Sequence, residues 1–278
     1  MLNKSIDMWG VVSMNDTLDF GLRDKVAIVA GGGAVGKDIG NGRAASILLA
    51  DAGAKVLVAD KDEILANNTV KMIQDRGGEA ISVGGDLTKS DQCKKVVDLA
   101  IRSWGRLDIL DNNIGVASKL SVVDETEENW DKVMDINLKP MFLMSKYAIP
   151  EMIKSGNGGS IVNISSISAT RPRGFTTYSA SKGAVLSLSQ AMAVDHGSDG
   201  IRVNCILPGP VYTPMVYSNG MTTQQRFQRQ NASLIQIEGD GWDIGKAVVY
   251  LSSNWARYIT GQLMVVDGGC SLSTKPRG

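Results

Sequence analysis

Short runs of apolar residues alternate with longer amphipathic segments along most of the chain. The runs have the length of buried strands, whereas the amphipathic segments place apolar residues every three or four positions, as helices do. The pattern predicts strands at residues 25–30, 54–60, 80–83, 107–110, 160–165, 202–207 and 262–266. It predicts helices after residue 42, at 64–76, at 92–104, from 124 to 154 with a break around 140, from about 178 to 195, at 222–233 and at 242–253.

This alternation predicts an α/β fold, because parallel strands need right-handed crossover connections, usually through a helix. Nearly continuous apolar strands are typical of a doubly wound sheet with helices on both faces. No linker or internal repeat interrupts the pattern, so we expect one domain over residues 25–278. Residues 1–24 precede the first strand and are expected to form a poorly ordered extension.

The composition excludes several classes of function. Of the 278 residues, 43% are hydrophobic and 21% charged, and 29 basic residues balance 29 acidic ones. This balance gives no indication of nucleic acid as a partner. No apolar run reaches the roughly 18 residues needed to span a bilayer, so no membrane partner is expected. Three scattered cysteines fit a reducing cytoplasm, and with a single histidine they predict no metal site.

A glycine-rich stretch, residues 31–42, joins the first strand to the first helix. Glycines at this point let the backbone approach a pyrophosphate, which then lies at the positive end of the helix. The alternative is that they serve only a tight turn. The second strand ends in Asp60, whose carboxylate would bind an adenosine ribose and repel a 2′-phosphate. The sequence therefore favours NAD over NADP, although Lys61 weakens this preference.

Tyr178 and Lys182 are four residues apart in a predicted helix and therefore share one face. A free phenol has a pKa of about 10, and a neighbouring ammonium lowers it towards the range of acid–base catalysis. Such a pair also arises by chance on an amphipathic helix. Its meaning depends on the residues around it.

From about residue 22 to 270 the chain resembles the short-chain dehydrogenase/reductase family. The family motif Thr-Gly-x-x-x-Gly-x-Gly is similar to Ala30-Gly31 and Gly40-Asn41-Gly42, but residues 32–39 form a longer insert between them. We assign Gly31, Gly40 and Gly42 as the working glycines, with Ile39 beside them. The role of Lys37 in this loop stays open.

The resemblance extends to the ends of the other strands and implies seven strands in the order 3-2-1-4-5-6-7. Asp86-Leu87 resembles the pair that contacts adenine, and Asn112-Asn113-Ile114-Gly115 resembles the family's Asn-Asn-Ala-Gly. The segment from Pro208 to Thr213 resembles the one that holds the nicotinamide carboxamide. The implied cofactor-binding residues are Gly31, Ile39, Gly40, Asp60, Lys61, Asp86, Leu87, Asn113, Gly115, Tyr178, Lys182, Pro208, Gly209, Val211 and Thr213. Asp111 stands where the family has an apolar residue.

The same resemblance implies a catalytic set of Asn137, Ser166, Tyr178 and Lys182. Tyr178 would exchange the proton, Ser166 would bind the substrate oxygen and Lys182 would lower the tyrosine pKa while holding the nicotinamide ribose. Asn137 would support a water relay, or alternatively fill a helix kink before Pro140. Ser165 and Ser168 are the alternatives to Ser166.

The resemblance implies an NAD(H)-dependent enzyme that interconverts a secondary alcohol and a ketone. The alternatives are an NADPH-dependent 3-oxoacyl reductase and a non-enzymatic nucleotide-sensing protein. Residues 214–240 take the place of the family's substrate lid, where apolar residues either line a pocket or pack the loop itself. Family members are usually tetramers, joined through helices like those at 141–144 and 185–188. Those apolar positions are equally consistent with burial on the sheet.

Overall fold

The computed structural model describes residues 19–218 and 220–272, so most of the predicted extension, residues 1–18, lies outside the described part. Nine strands are β1 (Val26–Ala30), β2 (Lys55–Asp60), β3 (Ala80–Gly84), β4 (Ile109–Asn112), β5 (Gly159–Ile164), β6 (Ile201–Pro208), β7 (Val211–Tyr212), β8 (Gly239–Asp240) and β9 (Leu263–Val266) within these ranges. The α-helices described are α1 (Asn41–Asp51), α2 (Glu63–Gln74), α3 (Ser90–Trp104), α4 (Glu127–Asn137), α5 (Lys139–Lys154), α6 (Thr176–His196), α7 (Pro214–Tyr217), α8 (Thr223–Gln230) and α9 (Gly241–Ser252).

Seven strands form one parallel sheet in the order β3-β2-β1-β4-β5-β6-β9. This confirms the predicted doubly wound fold, with β9 as the seventh strand of the predicted order. Two further strands, β7 and β8, pair only with each other. Each has two residues, which is too short for any periodic signal in the sequence.

Alternate residues of the central strands enter two separate hydrophobic cores. Ala27 and Val29 of β1 pack on the face covered by α1 and α9, whereas Ile28 packs on the face covered by α3 and α5. Strands buried on both sides are continuously apolar for this reason. No helix within the described ranges is long and apolar enough to cross a membrane.

Two parts of the structure differ from the sequence expectations at their edges. Residues 19–24 belong to the predicted extension, yet Leu22 is buried and Phe20 contacts the Trp255 ring at 4.7 Å between centroids. Strand β4 begins and ends two residues later than predicted. Asp108, the residue before β4, accepts a hydrogen bond on its carboxylate from the backbone N–H of Val26 at 2.9 Å, which holds the preceding loop to β1.

The shift of β4 places Asp111 inside the sheet, between Val29 of β1 and Val162 of β5. Its side chain is completely buried. One carboxylate oxygen accepts a hydrogen bond from Nδ2 of Asn113 at 2.8 Å, and the other has no partner among the described residues. Burial therefore raises the pKa of Asp111 from 3.8 to about 7, against the smaller opposing effect of Asn113.

We predict that Asp111 makes the protein less stable as pH rises from about 4 to about 7. The folded state binds this proton more tightly than the unfolded chain, so the free energy of unfolding falls across that window and then levels off. The loss reaches about 4 kcal/mol at most. Asp111→Asn should remove this pH dependence. Urea denaturation of both proteins from pH 4 to 8 gives the free energy of unfolding at each pH, and the difference between the two proteins measures the effect. Parallel pH profiles would contradict the prediction.

Candidate active site

Two adjoining cavities follow the carboxyl ends of β1, β2, β4 and β5. The first, of about 640 Å³, is lined by Asp60, Lys61, Asp86 and Leu87. The second, of about 280 Å³, contains Ser166, Tyr178 and Lys182. Gly31, Asn113 and Gly115 line both, so the cavities form one continuous trough. Ligands of doubly wound folds bind at this edge of the sheet.

The glycines open the trough to a ligand at its centre. Gly31 has a φ of 87°, a left-handed conformation that strongly favours glycine. A Cβ on Gly42 would lie 2.2 Å from the carbonyl oxygen of Gly31, so only glycine lets α1 pack so close to the end of β1. Gly40 precedes the N-terminus of α1 and leaves open space in front of it. This arrangement fits a dinucleotide pyrophosphate.

A buried arginine holds the insert between Gly31 and Gly40. Arg43 of α1 is fully buried and donates hydrogen bonds to the carbonyl oxygens of Ala34, Gly36 and Asp38. Its Nε also donates to Thr69 Oγ1 at 2.9 Å. Burial lowers the pKa of Arg43, and the nearby carboxylates of Asp38 and Asp60 oppose this shift. The sequence interpretation missed Arg43, although the first charged residue inside a buried helix was a usable signal.

The acidic residues of the larger cavity occupy the predicted strand ends. Asp60 is the last residue of β2 and accepts a hydrogen bond from the backbone N–H of Gly33 at 2.9 Å. Asp86 accepts one from Thr88 Oγ1 at 2.8 Å, which contributes most to lowering its pKa. Lys61 is exposed beside Asp60. The two carboxylates thus face the cavity from neighbouring loops.

The predicted catalytic side chains meet at the end of β5. Nζ of Lys182 is buried and donates a hydrogen bond to the carbonyl oxygen of Ile164 at 2.9 Å. Ser166 lies two residues after that carbonyl and lines the same cavity as Tyr178 and Lys182. Ser165 Oγ instead donates to the backbone carbonyl of Lys182 at 2.7 Å, which fixes the helix to the strand. The geometry therefore favours Ser166 over Ser165 as the serine presented to a ligand.

The pKa values differ from the sequence expectation in one respect. We expected the ammonium of Lys182 to lower the pKa of Tyr178, but burial raises it, and hydrogen bonding by Ser166 only opposes that effect. Burial also lowers the pKa of Lys182 to about 8. Both shifts favour the neutral form of each group, because burial removes the water that would solvate a charge.

Asn137 lies behind the trough rather than on its surface. It ends α4, is fully buried and accepts a hydrogen bond from the backbone N–H of Val116 at 2.7 Å. Its Nδ2 donates to the Val116 carbonyl at 3.0 Å and to Ser181 Oγ at 2.9 Å. A Cβ on Gly115 would lie 3.1 Å from Nζ of Lys182 and 3.5 Å from Oδ1 of Asn137. Gly115 therefore lets this loop pack directly on the lysine.

Glu125 is a second residue that the sequence interpretation missed. Its carboxylate accepts hydrogen bonds from Ser118 and Thr177, both at 2.6 Å, and from Asn129 at 2.6 Å. These bonds lower its pKa to about 2, with Ser118 contributing most. Because Thr177 precedes Tyr178, Glu125 connects the loop after β4 to the start of α6.

The remaining predicted residues divide into those that line the trough and those that do not. Pro208, Gly209, Val211 and Thr213 line the smaller cavity, as expected for a segment beside a nicotinamide. Ile39, like Asn137, lines neither cavity. Val35 and Ile114 line the trough and were not predicted as site residues, whereas Met215, one of the lid's apolar residues considered for a pocket, also lines it.

Comparisons with known proteins agree with this arrangement. A family profile described as enoyl-(acyl carrier protein) reductase matches residues 33–271. The 2,5-dichloro-2,5-cyclohexadiene-1,4-diol dehydrogenase LinX of Sphingobium indicum is 36% identical over 90% of this chain and 98% of its own. The 3-oxoacyl-[acyl-carrier-protein] reductase FabG of Thermotoga maritima is 32% identical over 89% of this chain and 98% of its own.

A solved structure of 7α-hydroxysteroid dehydrogenase, complexed with NADH and 7-oxo glycochenodeoxycholic acid, has a TM-score of 0.84 to this fold. It is 33% identical, and the match covers 90% of this chain and 96% of that one. Fold, trough and relatives together define an α/β oxidoreductase that uses a nicotinamide cofactor. The chain belongs to the short-chain dehydrogenase/reductase family.

Proposed function

We propose that the protein is an NAD(H)-dependent oxidoreductase that interconverts a secondary alcohol and a ketone. The observation that carries this proposal is the convergence of Ser166, Tyr178 and Lys182 in one cavity with the glycine-rich loop. A reacting carbon held there has a proton-exchanging group on one side and space for a nicotinamide on the other.

Each catalytic residue has a role that follows from its position. A nicotinamide bound in the trough supplies the hydride acceptor or donor. Ser166 donates a hydrogen bond to the substrate oxygen, which stabilises the charge that develops on it. Tyr178 gives a proton to this oxygen in reduction and removes one from it in oxidation. Lys182 holds the cofactor ribose and supports the phenolate, and Asn137 keeps Gly115 and Val116 in position for a water relay to solvent.

The raised pKa of Tyr178 affects the balance between reduction of a ketone and oxidation of an alcohol. A neutral phenol is the form that donates a proton, so the protein alone prepares Tyr178 for reduction at neutral pH. Oxidation requires the phenolate, which the ammonium of Lys182 favours once the lysine is charged. Because burial lowers the lysine pKa to about 8, its charge is largely present at pH 7 and is lost at alkaline pH.

We predict that Tyr178→Phe lowers kcat by about 10²- to 10⁴-fold, the usual contribution of a general acid or base. The assay follows nicotinamide absorbance over a panel of secondary alcohols and ketones with NAD(H) and NADP(H). NADH affinity and thermal stability should stay within twofold and a few degrees of wild type. Tyr258→Phe is the matched control, because the side chain of Tyr258 is 96% exposed and remote from the trough. Near-normal turnover by Tyr178→Phe would refute the role of the tyrosine.

The proposed preference for NAD rests on Asp60 at the rim of the larger cavity. Its carboxylate would accept hydrogen bonds from the ribose hydroxyls and repel a 2′-phosphate. Arg43, the nearby cation on α1, already donates to three carbonyls and one hydroxyl and is fully buried. It is therefore committed to the loop, whereas Lys61 lies exposed beside Asp60 and Lys132 also lines the larger cavity.

Wild-type protein should prefer NAD(H) over NADP(H) by at least about tenfold in kcat/KM. The reason is that repulsion between the Asp60 carboxylate and the 2′-phosphate should weaken NADP(H) binding by more than about 1.4 kcal/mol. Asp60→Asn should reduce this preference while retaining the acceptor for the N–H of Gly33. Asp75→Asn, at the exposed end of α2, serves as a control for loss of a surface charge. Steady-state kinetics with both cofactors measure the ratio. A wild-type preference for NADPH would overturn the assignment.

A second candidate function is an NADPH-dependent 3-oxoacyl reductase. The similarity to FabG of Thermotoga maritima favours it, because that relative matches nearly the whole chain. A 3-oxoacyl thioester is also a ketone and would use the same four catalytic residues. Adding a 3-oxoacyl thioester to the panel, with NADH and NADPH compared directly, separates the two proposals.

We also propose a homotetramer in the cytoplasm. Met141, Met144 and Val185, considered for the interface, are instead fully buried in the protomer core. Phe142 of α5 is 49% exposed and, with Leu188 of α6, lines an apolar depression between helices. The cysteines Cys93, Cys205 and Cys270 are all free and buried, which fits a reducing compartment.

Light scattering should show a particle of about four times the 29.6 kDa chain mass. Phe142→Glu should dissociate it, because a charge in an apolar contact loses its hydration. Ile64→Glu, at a more exposed position on α2, should leave the assembly unchanged. A monomeric wild-type protein would contradict the proposal.

A further inference from the structure

The insert in the glycine-rich loop extends beyond the nucleotide end of the trough. Eight residues, 32–39, separate Gly31 from Gly40, where the family motif has three. The bonds from Arg43 to Ala34, Gly36 and Asp38 give the insert a defined shape. The turn is closed by the backbone N–H of Asp38, which donates to Val35 at 3.0 Å. An ordered loop of this length can contact elements that a three-residue loop does not reach.

The insert faces the first helix of the lid, α7. Ala34 and Val35 of the loop, with Met215 and Val216 of α7, line the cavity that contains Tyr178. The side chains of Val35 and Met215 are both more than half exposed, at 61% and 56%. Two exposed apolar side chains from different segments therefore border one opening, directly above the residues proposed to act on the substrate.

Tyr217 ends α7, and Asp38 of the insert lies close enough to it across this opening to interact electrostatically. Burial contributes most to raising the pKa of Tyr217 to about 12, and the hydrogen bond and charge of Asp38 add to this effect. A carboxylate beside a phenol opposes loss of the phenol proton, which is the direction of this effect. The insert is thereby connected to the lid by a polar interaction as well as by apolar surface.

The contact continues from Tyr217 into the rest of the lid. The rings of Tyr217 and Tyr212 lie 4.6 Å apart, and the guanidinium of Arg226 lies 4.1 Å from the Tyr212 ring centroid. Arg226 of α8 is also 3.6 Å from the buried carboxylate of Glu238. The position of Tyr217 is therefore coupled to both lid helices, α7 and α8.

We propose that the insert forms a second wall of the substrate site and that Asp38, through Tyr217, fixes the lid against it. Val35 and Met215 then contact an apolar substituent of the substrate, so the insert takes part in substrate selection. The substrate part of this inference rests on the proposed oxidoreductase function. The contact between loop and lid does not, because it concerns the protein alone.

Hydrogen–deuterium exchange without any ligand tests the contact. Asp38→Asn and Tyr217→Phe should each increase exchange in α7 and α8 by about three- to tenfold, the effect of losing one hydrogen bond. The double variant should exchange no faster than the single ones, since all three lack the same contact. Lys37→Gln is the control, because Lys37 is exposed in the same loop and makes no ion pair within the described ranges. Unchanged exchange in both single variants, or additive increases in the double variant, would overturn the proposal.

Steady-state kinetics test whether the insert forms a wall of the substrate site. Val35→Ser should raise KM for a ketone with a large apolar substituent by about fivefold, the effect of losing one partly buried apolar contact. It should leave kcat and the Kd of NADH within twofold. Val194→Ser, at an 82% exposed position on α6, is the matched control. A change in NADH affinity without a change in KM would assign Val35 to the cofactor and overturn the wall. If no compound in the panel is turned over, the proposed function fails, and the exchange experiment alone decides the contact.

Discussion

The site depends on keeping one ammonium group, that of Lys182, at a buried position. Burying a charge costs several kcal/mol unless polar partners replace its hydration. The carbonyl of Ile164 supplies one partner, and the absence of a side chain at Gly115 lets the loop after β4 approach. Asn137 holds that loop in place. Strand β5, the loop after β4 and helix α6 therefore meet at a single side chain.

A second buried cation organises the nucleotide end in the same way. The guanidinium of Arg43 gathers carbonyls from a loop that has no regular secondary structure to satisfy them. A planar fork with five donors suits this task better than an ammonium would. Arg43 lies in the first turn of α1, which follows β1, and Lys182 lies in the second turn of α6, which follows β5. Each converts the irregular segment at a strand end into a rigid wall of the trough.

The sequence predicted most of the architecture because the periods of strands and helices reflect which sides of each element are buried. Those sides stay the same along the whole element. The strand order and the residues on the ends of β1, β2, β4 and β5 follow from that pattern and from family motifs. The pKa of Tyr178 could not be predicted from its spacing to Lys182, because its direction depends on how deeply both groups are buried. The role of Asp108 could not be predicted from its neighbours, because its partner Val26 is 82 positions away in the chain. Arg43 and Glu125 likewise bind partners in other segments, Thr69 and Thr177, which lie 26 and 52 positions away.

The lengthened glycine-rich loop shows where a family motif stops being informative. The motif specifies the glycines because a turn, a pyrophosphate and close packing of α1 each need them, and Gly31 and Gly42 meet these needs at unchanged positions. Residues 32–39 are free of those demands and are constrained by Arg43 and by the lid instead. Two segments that already pack against each other lose less mobility on binding than two that close independently, because part of the ordering entropy is lost on folding. In the proposed function, the loop begins at the cofactor phosphates and reaches Tyr217, so it joins cofactor binding to the geometry of the substrate pocket.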